Sequence, residues 1–200
     1  MGKGVEMTTV FIGDSVTDCD RLTIAPYGNG YVSKIAASGK LEGKIINVGT
    51  SGHRLVDLEA RWESDVIAHI PSNLSVAIGI NDTWRRYDDN DPTSVEDFEA
   101  RYRRVLDRTI EACNPRIVLC EPFLLEVEEA MHTWREDLNP KIDVVHRLAK
   151  EYGAVLVRFD HEFATRAQIQ PMQELAGDGI HPTDLGHQIM ADLWLASVGA

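Results

Sequence analysis

The 200-residue chain has little cysteine and no long hydrophobic run. Cys19, Cys113 and Cys120 are odd in number and lack CxxC spacing, which argues against a disulfide framework or a zinc knuckle. No apolar run approaches the ~20 residues that span a bilayer. The opening MGKGVEMTTVF has no apolar stretch ahead of a small-residue cleavage site, and Glu6 stands where a myristoylation signal requires Ser or Thr. A cytoplasmic location is the expectation. Basic residues are also scarce: 20 Lys and Arg against 32 Asp and Glu leave a net charge of −12. That balance disfavours nucleic acid and anionic membranes as partners, because phosphates are held by Lys and Arg clusters. GxGxxG, P-loop and HExxH patterns are missing. Asp88-Asp89-Asn90-Asp91 lacks the glycine and distal glutamate of a calcium loop and reads as a solvated turn. Neither a metal nor a cofactor is expected. Repeats, low-complexity tracts and linkers are absent too, so residues 1–200 are expected to form one domain.

What is present is a regular alternation. Hydrophobic residues make up 44% of the chain, enough for a sizeable core. Short runs rich in Val, Ile and Leu predict strands at Thr8–Ile12, Lys44–Val48, Leu74–Ile80, Arg116–Cys120 and Ala154–Phe159. Between them, apolar residues step by three and four. Leu55, Leu58, Trp62 and Val66 form one such stripe, and Phe98, Tyr102, Val105 and Leu106 another. Val127–Tyr152 is helical in character, with a break expected near Asn139 because Pro140 removes an N–H. A last helix is expected to start at Pro182. Alternating strands and helices predict an α/β fold, a three-layer α/β/α sandwich around a five-stranded parallel sheet. Ligands in such folds bind beyond the carboxyl ends of the strands.

Four segments fall at or near those places. They are Gly13-Asp14-Ser15, Asn47-Val48-Gly49-Thr50-Ser51-Gly52-His53, Gly79-Ile80-Asn81-Asp82 and, near the C-terminus, Asp178-Gly179-Ile180-His181. Together they supply a hydroxyl, amide donors, a carboxylate and an imidazole. Acyl-ester hydrolysis needs this set. A serine becomes a competent nucleophile when a base takes its proton. A histidine serves as that base and then as acid. A carboxylate fixes the imidazole tautomer, and amide donors hold the oxyanion. Asp178 and His181 lie three apart, close enough for one turn to join them, with Gly177 and Gly179 free to adopt unusual dihedrals.

In order and spacing these blocks resemble the SGNH hydrolases, the GDSL-type esterases and lipases, over residues 11 to 181. The resemblance implies a flavodoxin-like topology. It also implies Ser15 as nucleophile, His181 as base and Asp178 as its orienting carboxylate. The N–H groups of Ser15 and Gly49, with the Asn81 side chain, would form the oxyanion hole. Longer strings, among them Ala60-Arg61-Trp62-Glu63 and Asn81-Asp82-Thr83-Trp84-Arg85-Arg86, are similar to bacterial GDSL acetyl-esterases acting on xylan fragments. On that likeness the expected substrate is a small acetylated saccharide, with Trp84 as a stacking platform and Arg85 as a polar contact. A homo-oligomer is an expectation carried by the resemblance alone.

Competing readings attach to the same residues. Ser15 alone would read as a helix cap, and Ser51 is a rival nucleophile by composition. Trp84, Arg85 and Arg86 could equally anchor a loop. The α/β-hydrolase elbow G-x-S-x-G is not met, because Thr17 holds its last position. A lysophospholipase or thioesterase with a longer acyl substrate keeps the same chemistry. A non-catalytic binding module would keep only the fold.

Overall fold

The computed structural model describes residues 7–200, so the N-terminal segment bearing Glu6 lies outside the described residues. Five strands, β1 (Thr8–Gly13), β2 (Lys44–Asn47), β3 (Asn73–Ala77), β4 (Arg116–Cys120) and β5 (Val155–Val157), pair in parallel in the order β2-β1-β3-β4-β5. This is the flavodoxin-like arrangement, with its switch point between β1 and β3. Nine α-helices occur among the described residues: α1 (Ser15–Asp18), α2 (Tyr31–Ser38), α3 (Leu55–Asp65), α4 (Ile80–Asp88), α5 (Val95–Ala112), α6 (Arg135–Glu151), α7 (Phe159–Arg166), α8 (Met172–Leu175) and α9 (Asp184–Val198). None of them is long and apolar enough to cross a membrane.

The pleat sends alternate strand residues to opposite layers. From β1, Val10 and Ile12 join the stripes of α3 and α5 and the inner face of α6, including Leu58, Trp62, Tyr102 and Leu148. Phe11 points the other way, into a layer built on α2, α7 and α9 with Tyr31, Phe159 and Trp194. Both buried tryptophans find acceptors: Trp62 Nε1 donates to Thr109 Oγ1 at 2.8 Å, and Trp194 Nε1 to Ser75 Oγ at 3.0 Å.

Four expectations about the elements need correction. The fifth strand ends at Val157 rather than Phe159, where α7 begins. The third strand ends at Ala77 rather than Ile80, because Gly79 takes φ +135° and α4 begins at Ile80. Pro140 does not end its helix; α6 runs through it, after a 3₁₀ segment at Glu129–Trp134. A mid-helix proline costs about 3 kcal/mol. Each of the aliphatic side chains Leu138, Val144, Val145 and Leu148, buried on the same helix, returns roughly 1.5–3 kcal/mol, so burial wins. Pro182 does not start the last helix either. Thr183 caps it, its hydroxyl accepting from Gly186 N–H at 3.1 Å, while Pro182 lies in a bridge to Ala176.

Candidate active site

The site stands at the carboxyl ends of β1 and β3 and the loop after β2. Asp14 caps α1, its Oδ1 accepting from Val16 N–H at 3.0 Å, which leaves Ser15 at the first helical position. On the opposite side, the loop before α9 folds around Asp178. One carboxylate oxygen accepts from the backbone N–H groups of Ile180 (2.9 Å) and His181 (2.7 Å). The other accepts from His181 Nδ1 at 2.7 Å. Gly179 has φ +81°, and a Cβ there would sit 2.2 Å from the Leu125 carbonyl, so glycine is required; Gly177 has no such constraint.

These loops place Ser15 Oγ 2.9 Å from His181 Nε2. A carboxylate can only accept, so Nδ1 carries the ring proton and Nε2 accepts from the serine hydroxyl. Burial pushes the Asp178 carboxyl up. The bonds from the His181 ring and from the two N–H groups outweigh it, and the net shift is below the ordinary range.

A cavity of about 430 Å³ opens beside these hydrogen bonds, lined by Ser15, Ser51, Gly52, Asn81, Trp84 and His181 together with Cys19, Asp20 and Arg85. Asn81 Nδ2 spends one proton on the His53 carbonyl at 3.0 Å and keeps the other free. Asp82, next to it, is buried and accepts from Leu55 N–H at 3.1 Å, which ties α4 to the start of α3. Burial raises its carboxyl to about 6 against the pull of that N–H and of Lys141.

Gly49 does not reach the cavity. Its N–H is committed to Asn47 Oδ1 at 2.9 Å, and a Cβ on it would lie 2.3 Å from Asp18 N; it is a packing glycine. Gly52, three residues on, lines the cavity instead. Neither its N–H nor that of Ser15 has an acceptor among the hydrogen bonds of the described residues. The Asn-x-Gly string was the signal for this: an Asn side chain commonly binds the N–H two residues ahead.

The other singled-out residues sort clearly. Ser51 Oγ donates to Asp18 Oδ2 at 2.7 Å and has no histidine partner. Trp84 faces His181, its ring centroid 6.3 Å from that of the imidazole. Arg85 lies over the Trp84 ring at 5.3 Å and pairs with Asp88 and Asp89, so its charge is satisfied within the chain. Arg86 turns away to Glu136 and Asp137. Cys19 donates to Asn29 Oδ1 at 2.9 Å and accepts from His187 Nε2 at 3.3 Å, because His187 Nδ1 accepts from Tyr31 N–H. Burial drives that imidazole down to about 4, so it stays neutral. Among the described residues, no group of three or more His, Cys, Asp or Glu side chains is placed to hold a metal.

Asp14, beside Ser15, is buried. Burial lifts its carboxyl from 3.8 to about 7, against the Val16 N–H and His181, which lower it. A folded-state value above the unfolded one means the stabilising, neutral form dominates at low pH. Stability from this group is complete below about pH 4 and is lost as pH rises through about 7. Asp14→Asn keeps the cap acceptor and removes the titration. Its stability relative to the parent chain is expected to improve by about 4 kcal/mol between pH 4 and pH 8. Denaturant melts at the two pH values check this; an unchanged difference contradicts it.

A parallel α/β/α sandwich with a serine, a histidine and an aspartate joined by hydrogen bonds beyond its strand ends is the arrangement expected of a hydrolase of the SGNH type. The sequence profile of the GDSL-like Lipase/Acylhydrolase family matches residues 11–189, and the chain belongs to that family; it is a carboxylic ester hydrolase. An acetylxylan esterase from Geobacillus stearothermophilus is 33% identical over 214 residues, covering 100% of this chain and 96% of that protein. The crystal structure of an acetylxylan esterase from the same organism superimposes with a TM-score of 0.89 at 32% identity, covering 100% of this chain and 97% of the other. A structure described as a GDSL-like lipase from Parabacteroides merdae gives 0.90 at 33% identity, covering 97% and 96%. Further structures of the Geobacillus esterase are catalytic mutants of a serine, an aspartate and a histidine. Its aspartate and histidine are three apart, as Asp178 and His181 are here.

Proposed function

We propose that the chain removes O-acetyl groups from small saccharides, with Ser15, His181 and Asp178 as the catalytic triad. The observation that carries this is the hydrogen-bonded chain from Ser15 Oγ through His181 to Asp178, opening on a cavity that no aliphatic side chain lines. Ser15 Oγ attacks the acetyl carbon while His181 Nε2 takes its proton. The carbonyl oxygen becomes an oxyanion, held by the N–H groups of Ser15 and Gly52 and by the free Asn81 Nδ2 proton. As the tetrahedral intermediate collapses, Nε2–H returns the proton to the departing sugar oxygen. Water, activated by the same nitrogen, then releases acetate and restores Ser15.

The cavity supports a short acyl group. No aliphatic side chain lines it, so a long chain would gain none of the roughly 0.8 kcal/mol per CH₂ that apolar burial supplies. Half-buried Trp84 in the cavity lining offers aromatic surface to a sugar ring, which stacks on aromatics while its hydroxyls stay hydrated. Full-length similarity to an acetylxylan esterase supports the same substrate class.

The test is a series of aryl esters from two to eight carbons, followed by acetylated xylo-oligosaccharides, all in the presence of a chelator. The acetate ester is expected to exceed the octanoate by about 100-fold or more in kcat/KM. A preference for eight carbons would replace this reading with the lysophospholipase or thioesterase alternative.

A further inference from the structure

We infer that Arg61 is the positioning residue of the oxyanion hole, a single side chain fastening together the loops that carry its donors. The inference rests on the proposed hole of Ser15, Gly52 and Asn81. Arg61 sits on α3, outside the cavity lining, and does not itself face the substrate. Its guanidinium nevertheless reaches the segments that lead to Ser15 and Gly52, and it meets Asn81 through His53. Nη2 donates to the Gly13 carbonyl at 3.3 Å, two residues before Ser15. Nη1 donates to the Val48 carbonyl at 2.7 Å, in the loop that leads to Gly52. Nε donates to His53 Nδ1 at 3.1 Å, directly after Gly52. The carbonyl of that same His53 takes the Asn81 amide at 3.0 Å. Asp65, one turn along α3, anchors the guanidinium at 2.5 Å.

The chemistry explains why an arginine fits here. An oxyanion hole works because its donors are aimed before the reaction begins, and a small misalignment loses most of the benefit. Arginine offers a planar fork whose N–H directions are fixed relative to one another. Two carbonyls and a ring nitrogen read by one rigid plane cannot drift independently. Lysine, a compact ammonium on a flexible stem, can satisfy Asp65 and one carbonyl but cannot fix the angle between loops. The Asp65 carboxylate neutralises the charge, so Arg61 contributes alignment rather than a field at the oxyanion.

The experiment compares R61A, R61K and N81A on an acetyl ester, with melting temperatures taken alongside. R61A is expected to lower kcat about 100-fold while KM stays within about threefold, since substrate binding does not use the hole. Affinity for methylboronic acid, which forms a tetrahedral adduct on Ser15, should fall in parallel. Millimolar guanidinium should restore R61A by about tenfold or more, which a general loss of packing would not permit. R61K keeps the Asp65 pair, so it provides a readable variant if R61A does not fold; about tenfold loss of kcat at an unchanged melting temperature is expected. The inference is overturned if N81A loses 100-fold or more while both Arg61 variants stay within threefold. It is overturned equally if kcat and KM shift together with boronate affinity unchanged. N81A at full kcat would remove the hole itself, and the inference with it.

Discussion

Ser15→Ala is expected to lower kcat by about 10⁴-fold or more while leaving the fold intact. The expectation follows from how little else the hydroxyl does. Among the described residues its one hydrogen bond is with His181 Nε2 at 2.9 Å. The cap of α1 is supplied by Asp14, and the Ser15 N–H is a backbone group that survives the change. The variant therefore keeps its oxyanion donors and its base but has no atom to attack the acetyl carbon. Stability should move by less than about 0.5 kcal/mol, as for substitutions that leave caps and core untouched. A serine-directed organophosphate should label one equivalent of the parent chain and none of S15A. Activity within tenfold of the parent would show that another group attacks the ester. Ser51 would then be the first to examine, although its hydroxyl is already committed to Asp18.

Much of this was legible in the sequence, for reasons that differ by element. The strand positions came from short aliphatic runs, the pattern of strands covered by helices on both faces of a parallel sheet. The four chemical segments were legible because parallel-sheet folds put ligand groups at strand ends, so position and residue type agreed. What was missed depended on partners distant in sequence or on competing local bonds. Pro140 reads as a helix end because the lost N–H is local, whereas the burial that carries α6 through it is not. Gly49 and Gly52 are equivalent by composition; the Asn47 amide decides between them by taking the Gly49 N–H. Arg61 looks like an ordinary polar residue on an amphipathic helix. Its contacts run to Gly13 and Val48, 48 and 13 positions away, and no periodicity encodes them.

Asp178→Asn separates two roles that the wild-type carboxylate combines. One oxygen holds the loop by accepting from Ile180 and His181 N–H, while the other accepts from the His181 ring. The asparagine carbonyl can keep the loop bonds, but its amide then points two donors at Nδ1. The ring must answer with the opposite tautomer, leaving Nε2 protonated and unable to accept from Ser15. About 10³–10⁴-fold loss of kcat is expected, with little change in melting temperature. Charge alone would not produce that. The Asp178 side chain is 54% exposed, and its field at the ring is screened by solvent. Asp178→Ala should behave differently. It gives up the loop anchor and melts earlier, but its imidazole is free to choose either tautomer, so formate added in solution can replace the lost acceptor and recover part of the rate. Nitrogen NMR of the His181 ring reads the tautomer directly. Asp178→Asn within tenfold of the parent, with Nε2 still unprotonated, would reduce the carboxylate to a loop anchor and remove it from the proton relay.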